Sequence, residues 1–285
     1  MIVSQRQKYK KVPNHEISEQ GIIDLEHVTP KRIHFGGFHT HALQRREGNS
    51  VGIFKLPFQE TVVPIFHKFG LDLYKSKFNA DQYYRTIDEE DEFERVEALM
   101  EKYKDVVFLR DLLDLSIALS NNYDGNIRTP IGELEYQAKY HKCRDSLLSI
   151  IEEVKRMISE FYYYREVDYI CAIPPTNPDE YNLPREIVNG LEELQMENIS
   201  EKVRWTSKEK SLKNATGIKE KLEILKESGL SIDDHLDVTN KVILLIDDLY
   251  MSGTTIQYVA MKLKEAGALR ILGLCIAKSR SNTAR

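Results

Sequence analysis

One run of fourteen residues constrains this chain more than any other: Val242-Ile243-Leu244-Leu245-Ile246-Asp247-Asp248-Leu249-Tyr250-Met251-Ser252-Gly253-Thr254-Thr255. Five consecutive apolar residues read as a strand buried on both faces, which is the pattern of a parallel sheet covered by helices. The strand runs into two carboxylates, then into a small-residue loop that opens a segment of helical pattern. Gly253 lets the backbone come close to a ligand. Loop N–H groups, the hydroxyls of Ser252, Thr254 and Thr255, and the amino end of the following helix converge on one point, forming a cradle for phosphate. Asp247 and Asp248 repel phosphate but suit sugar hydroxyls or a magnesium ion. A phosphate site beside a diol or metal site describes a ribose 5-phosphate ligand. The plainer alternative is a buried strand that ends in two solvated aspartates and a helix cap.

The same residues resemble the phosphoribosyl pyrophosphate (PRPP) binding motif of type I phosphoribosyltransferases, with Met251 where that family usually carries a small or hydroxylated residue. Over residues 125–280 the chain also looks like the ComF family of phosphoribosyltransferase-like proteins. Lys139-Tyr140 stands where that family has a Lys-aromatic pair before the first core strand. Cys171-Ala172-Ile173-Pro174-Pro175-Thr176-Asn177 matches its strand and proline-rich loop, and Arg185 matches the basic residue that opens the next helix. The family's cysteine-rich zinc module is absent, and Asn182-Leu183-Pro184-Arg185-Glu186 replaces its Arg-Gly-Phe-Asn-Gln segment. The resemblance implies an α/β, parallel-sheet type I phosphoribosyltransferase fold with an amino-terminal appended region, divided into residues 1–119, of unknown role, and 120–285.

Composition narrows the classes. The 285 residues carry a net charge of −5, which argues against broad nucleic-acid or anionic-membrane binding. No stretch approaches the ~20 apolar residues of a membrane span, and residues 1–11 lack the apolar core of a signal peptide. The three cysteines, Cys143, Cys171 and Cys275, lie far apart, two of them in apolar runs, which suits a reducing cytoplasm.

Along the chain, the spacing predicts that 128–164 contains a long amphipathic helix, followed by a strand over 168–175 and a helix over 184–195. A lysine-rich stretch follows at 200–231. Strands are predicted at 242–246 and 270–277, with a helix at 254–265 between them. Further upstream, 49–57 and 60–66 read as extended, 88–103 as an acidic helix and 106–119 as an apolar segment. His34, His39 and His41 are closely spaced in sequence. They read as loop histidines, or His39 and His41 share a metal, with no carboxylate or cysteine nearby in sequence to complete the site.

The resemblance assigns roles. Asp247 and Asp248 face the ribose hydroxyls and the magnesium environment, and residues 251–255 hold the 5-phosphate. Pro175, Thr176 and Asn177 form the pyrophosphate loop, and Arg185 neutralises pyrophosphate oxygens. Lys208 and Lys210 sit in a segment that reads as a lid over the substrate or as a solvated loop. No residue stands out as a general base. The expected activity is transfer of ribose 5-phosphate from PRPP, with Mg, to an unidentified acceptor. The alternative is a non-catalytic PRPP or nucleotide sensor, or an effector subunit of a bacterial anti-phage system, acting with a protein or nucleic-acid partner through residues 1–119. A homodimer is the oligomer the fold suggests.

Overall fold

A computed structural model describes residues 14–58, 60–67, 69–79, 82–175, 181–207, 215 and 217–280. Helix α1 (Glu19–Asp24) leads to strands β1 (Arg32–His34), β2 (Leu43–Arg45) and β3 (Gly52–Leu56). Helix α2 (Val62–His67), strands β4 (Tyr74–Lys75) and β5 (Tyr83–Ile87), and helix α3 (Glu90–Lys102) follow. Strands β6 (Val107–Leu109), β7 (Leu115–Asn121), β8 (Tyr123–Asp124) and β9 (Ile127–Arg128) precede helices α4 (Pro130–Tyr140), α5 (Arg144–Glu160) and α6 (Tyr162–Arg165). Next come β10 (Tyr169–Ala172), α7 (Leu183–Asn189), β11 (Glu197–Asn198), β12 (Val203–Trp205), α8 (Ile218–Ser228) and β13 (Leu230–Ile232). The chain closes with β14 (Val242–Tyr250), α9 (Thr254–Glu265) and β15 (Arg270–Lys278).

The central sheet has the order β1-β6-β7-β15-β14-β10-β11. Strands β7, β15, β14, β10 and β11 run parallel, while β6 is antiparallel to both β7 and β1. Alternate residues of the parallel strands feed two cores. Leu244, Ile246, Leu272 and Leu274 lie in one core with α5 and α7, through Ile150, Val154, Ile187 and Val188. Ile243, Leu245, Ile271 and Cys275 lie in the other with α8 and α9, through Leu222, Leu225, Ile256 and Val259. The sheet is covered on both faces, as continuous apolar strands require.

A four-stranded antiparallel sheet, β2-β3-β5-β4, is built from the amino-terminal half. Its Phe54 stacks on Phe66 at 5.8 Å, and Phe35 meets Phe108 of β6 at 5.6 Å. These rings share a core with α5 and β15. The boundary expected at residues 119/120 falls inside β7, whose residues Leu115 to Asn121 pair with β15. The amino-terminal half thus supplies three strands of the central sheet as well as the smaller sheet.

The long amphipathic helix expected within 128–164 is α5, which a turn at Lys142, whose φ of 53° lies in the left-handed region, separates from α4. Two local expectations give way. Residues 62–67 are helical rather than extended, since Val62, Ile65 and Phe66 share one buried face; packing overrides their strand propensity. Strand β14 continues past Ile246 through both aspartates to Tyr250, held by the Tyr250–Lys278 pairing with β15. The helix expected at 254–265 has those bounds in the structure, and Cys171 and Cys275 are buried.

Candidate functional site

The strand register brings the chemistry to one edge. Tyr250 is opposite Lys278, and Lys278 is opposite Asn121, so the carboxyl ends of β14, β15 and β7 coincide. On the other side β10 ends beside Ile246, where the Ile173 N–H donates to the Ile246 carbonyl at 2.9 Å. After β10 the chain moves outward to β11, then returns across β10 to form β14. Helix α7, after β10, covers one face, and α9, after β14, covers the other. A crevice between strands whose helices diverge in this way is where open α/β sheets take their ligands.

The loop after β14 is firmly held. Gly253, at φ 73°, caps α9 without contributing any side-chain acceptor. The first-turn N–H groups of α9 are therefore free to serve an anion. Ser252 Oγ and Thr254 Oγ1 are 2.8 Å apart. Lys278 Nζ donates to the Met251 carbonyl at 3.2 Å, and Ser279 N–H donates to Tyr250 O at 3.0 Å. The Tyr250 hydroxyl donates to Asp111 Oδ2 at 3.0 Å, and Asp111 also accepts from Ser116 at 2.8 Å. A Cβ on Gly253 would collide with the Tyr250 ring and hydroxyl. Gly253→Ala is expected to lower stability by at least about 1–2 kcal/mol, from the left-handed backbone alone, and to abolish ligand binding. Thermal melts and ligand titration of that variant check both.

Just upstream lies an acidic cluster. Asp248 Oδ2 accepts from Lys139 Nζ of α4 at 2.8 Å, and Glu135 Oε1 lies 3.8 Å from the same ammonium. Asp247 Oδ1 accepts from the Asp248 N–H at 2.9 Å. Burial, with Asp248 adding repulsion, pushes the Asp247 carboxyl up to about 7. Burial does the same to Glu135, also to about 7, against the pull of Lys139. Burial works against the Lys139 charge, yet Asp248 and Glu135 outweigh it and hold the ammonium charged. Three carboxylates thus face one ammonium, a surplus of negative charge that suits hydroxyl donors or a cation.

The sequence-predicted residues divide into three groups. Asp247, Asp248, Met251, Ser252, Gly253, Thr254 and Thr255 are contiguous at the sheet edge, with Met251 exposed and Thr254 buried. Pro175 lies three residues past the end of β10, whose last pairing is Ala172 with Ile246. Arg185 Nε lies 3.1 Å from Oε1 of Glu201, a side chain exposed at the surface. Thr176, Asn177, Lys208 and Lys210 lie outside the described residues. His39 Nδ1 accepts from the His34 backbone N–H at 3.3 Å, and no group of three or more His, Cys, Asp or Glu that could hold a metal occurs among the described residues.

Sequence reasoning missed Glu135 and Lys221. Glu135 shares the buried face of α4 with Gly132 and Ala138, and Lys221 shares that of α8 with Ile218, Leu222 and Leu225. A charge in phase with an apolar face was the signal for each. Lys278 ends an apolar strand, where burial, with Arg32 and Lys31 adding, pulls its ammonium down to about 7.

No protein-family model matches this chain, and no curated protein does. Among solved structures, an alanine mutant of an invariant aspartic acid in HPRTs is 11% identical, over 48% of this chain and 69% of that one, with a TM-score of 0.33. A hypoxanthine-guanine-xanthine phosphoribosyltransferase is 15% identical, over 46% of this chain and 61% of that one, with a TM-score of 0.27. Both are phosphoribosyltransferases. No helix among the described residues is long and apolar enough to cross a membrane.

Proposed function

We propose that this chain binds PRPP at the crevice between β10 and β14 and transfers its phosphoribosyl group to an acceptor. One observation carries the reading: an uncapped helix amino end and a surplus of carboxylate lie side by side at the switch point of a parallel sheet. A 5-phosphate and a ribose diol need those two environments next to each other. The loop N–H groups and the hydroxyls of Ser252, Thr254 and Thr255 would donate to the phosphate. Asp247 and Asp248 would accept from the ribose hydroxyls, which orients the anomeric carbon toward β10.

The donor set fits magnesium, since Asp247 and Asp248 offer only hard oxygen ligands. With no three-ligand cluster among the described residues, the remaining ligands would come from the substrate and water. The ion, when bound, offsets charge on the departing pyrophosphate. Pro175, Thr176 and Asn177 would lie along the leaving group, with Lys208 and Lys210 adding positive charge and closing out water. The attacking nitrogen would be the acceptor's own.

A second reading is binding without turnover. Pro174 and Pro175 remove two backbone donors from the leaving-group loop, and Arg185 is paired with Glu201. Calorimetric titration with PRPP, with and without magnesium, separates the readings when followed by assay of pyrophosphate release with nitrogenous acceptors. Magnesium-dependent binding with release is the expected result. Binding with no release across acceptors would favour a sensor, and no binding at millimolar ligand would sink both.

A further inference from the structure

Lys221 lies on the buried face of α8, only 8% exposed. Its neighbours on that face, Ile218, Leu222 and Leu225, pack with Ile256 and Val259 of α9. A lysine so placed normally pairs with a carboxylate, because an isolated buried ammonium is costly. Among the described residues no carboxylate pairs with Lys221, and burial alone pulls its ammonium down from the usual range. Its Nζ donates at 3.5 Å to Ser252 Oγ, in the loop whose hydroxyls and helix N–H groups form the cradle. The ammonium thus sits against an anion site that contains no anionic side chain.

We propose that Lys221 is the counter-ion of a terminal phosphate monoester held by residues 251–255. The monoester would be bracketed by the backbone dipoles of α9 and by the side chain of α8. The ligand class follows: its 5-position carries a phosphate rather than a free hydroxyl, and the dianionic monoester is the form that offers most charge to both partners. The assignment of that phosphate to a ribose rests on the phosphoribosyl reading, but the pairing with Lys221 does not.

Two probes, ribose 5-phosphate and inorganic phosphate, titrated calorimetrically against the full chain, Lys221→Met and Lys221→Gln, test it. Each variant is expected to lose about 10- to 100-fold in affinity for both probes, the loss of one charge-assisted hydrogen-bond partner. The ligand-free melting temperature of Lys221→Met should equal or exceed that of the wild type, because a buried charge without a partner has been removed. Wild-type affinity in the folded variants would overturn the assignment. A lower ligand-free melting temperature in both variants would also overturn it, showing that the charge serves the fold. Lys221-dependent binding of inorganic phosphate, with no gain from ribose 5-phosphate, would keep the assignment and refute the phosphoribosyl reading. A wild-type chain that takes up neither probe refutes both.

Discussion

A chain that begins at residue 120 is expected to aggregate rather than fold. The cut removes β1, β6 and most of β7, and so strips the pairing partner from β15 between Leu272 and Cys275. An apolar central strand would become an open edge, a template for association with other chains. Two polar anchors disappear with it: Asp111, which holds the Tyr250 hydroxyl at 3.0 Å, and Asp114, which accepts the Ile271 N–H at 2.7 Å and pairs with Lys264 at 2.8 Å. The retained side chains Ile158, Tyr164, Leu274 and Ile276 share a core with the deleted residues. Exposure of each costs about 1.5–3 kcal/mol, which together approaches the about 5–15 kcal/mol net stability of an ordinary domain. Circular dichroism and a thermal melt of the fragment decide it. A soluble fragment with a cooperative melt would show that residues 120–285 form a unit by themselves.

Asp247→Asn should weaken ligand binding and strengthen the fold. Both effects would have one origin, a carboxylate at the edge of a core that serves the proposed ligand more than the fold. Its folded carboxyl is raised from 3.8 to about 7, so the native state holds a proton that the unfolded chain has released. The stability this proton contributes is fully present below about pH 4 and is lost as pH rises through about 7. Asparagine is neutral throughout. The variant should therefore gain on the wild type as pH rises, most of all above pH 7, with a ceiling of about 4 kcal/mol. PRPP affinity should fall by about 100-fold if two charge-assisted hydrogen bonds to the ribose are lost. Melts at about pH 5 and about pH 8 read the first effect, and calorimetry reads the second. A variant less stable than the wild type at the higher pH would show that the fold itself uses the carboxylate.

What the sequence disclosed follows the range of the interactions involved. Residues 242–255 were legible because strand, turn and helix start are all determined locally, by an apolar run, a glycine in the left-handed region and small hydroxylated residues. The extension of β14 to Tyr250 was hidden, since two aspartates argue against a strand and only the pairing with β15 sustains it. The roles of β6 and β7 were hidden for a stronger reason. Strand β7 pairs with β15, more than 150 residues later, and β6 with β1, more than 70 residues earlier, and no pattern within 106–119 names either. Lys139 drew notice only through a family resemblance, and its partner Asp248 emerged from the packing of α4 on the sheet edge. Glu135 and Lys221 show the general case: a single charge on an apolar stripe looks like noise until the stripe is seen to face a site.

The anchoring of the 251–255 loop bears on how quickly a ligand could be captured. Met251 is tethered by Lys278, Tyr250 by Asp111 and Ser279, and Gly253 by Gln257, whose backbone N–H and side-chain amide both donate to its carbonyl, at 3.0 and 3.1 Å. The conformational entropy of these residues is surrendered when the chain folds, so little remains to be surrendered at encounter. Capture of phosphate would then be limited by diffusion into the crevice and release of water. It would not wait on rearrangement of the loop, so a slow step in association would have to originate in some other segment.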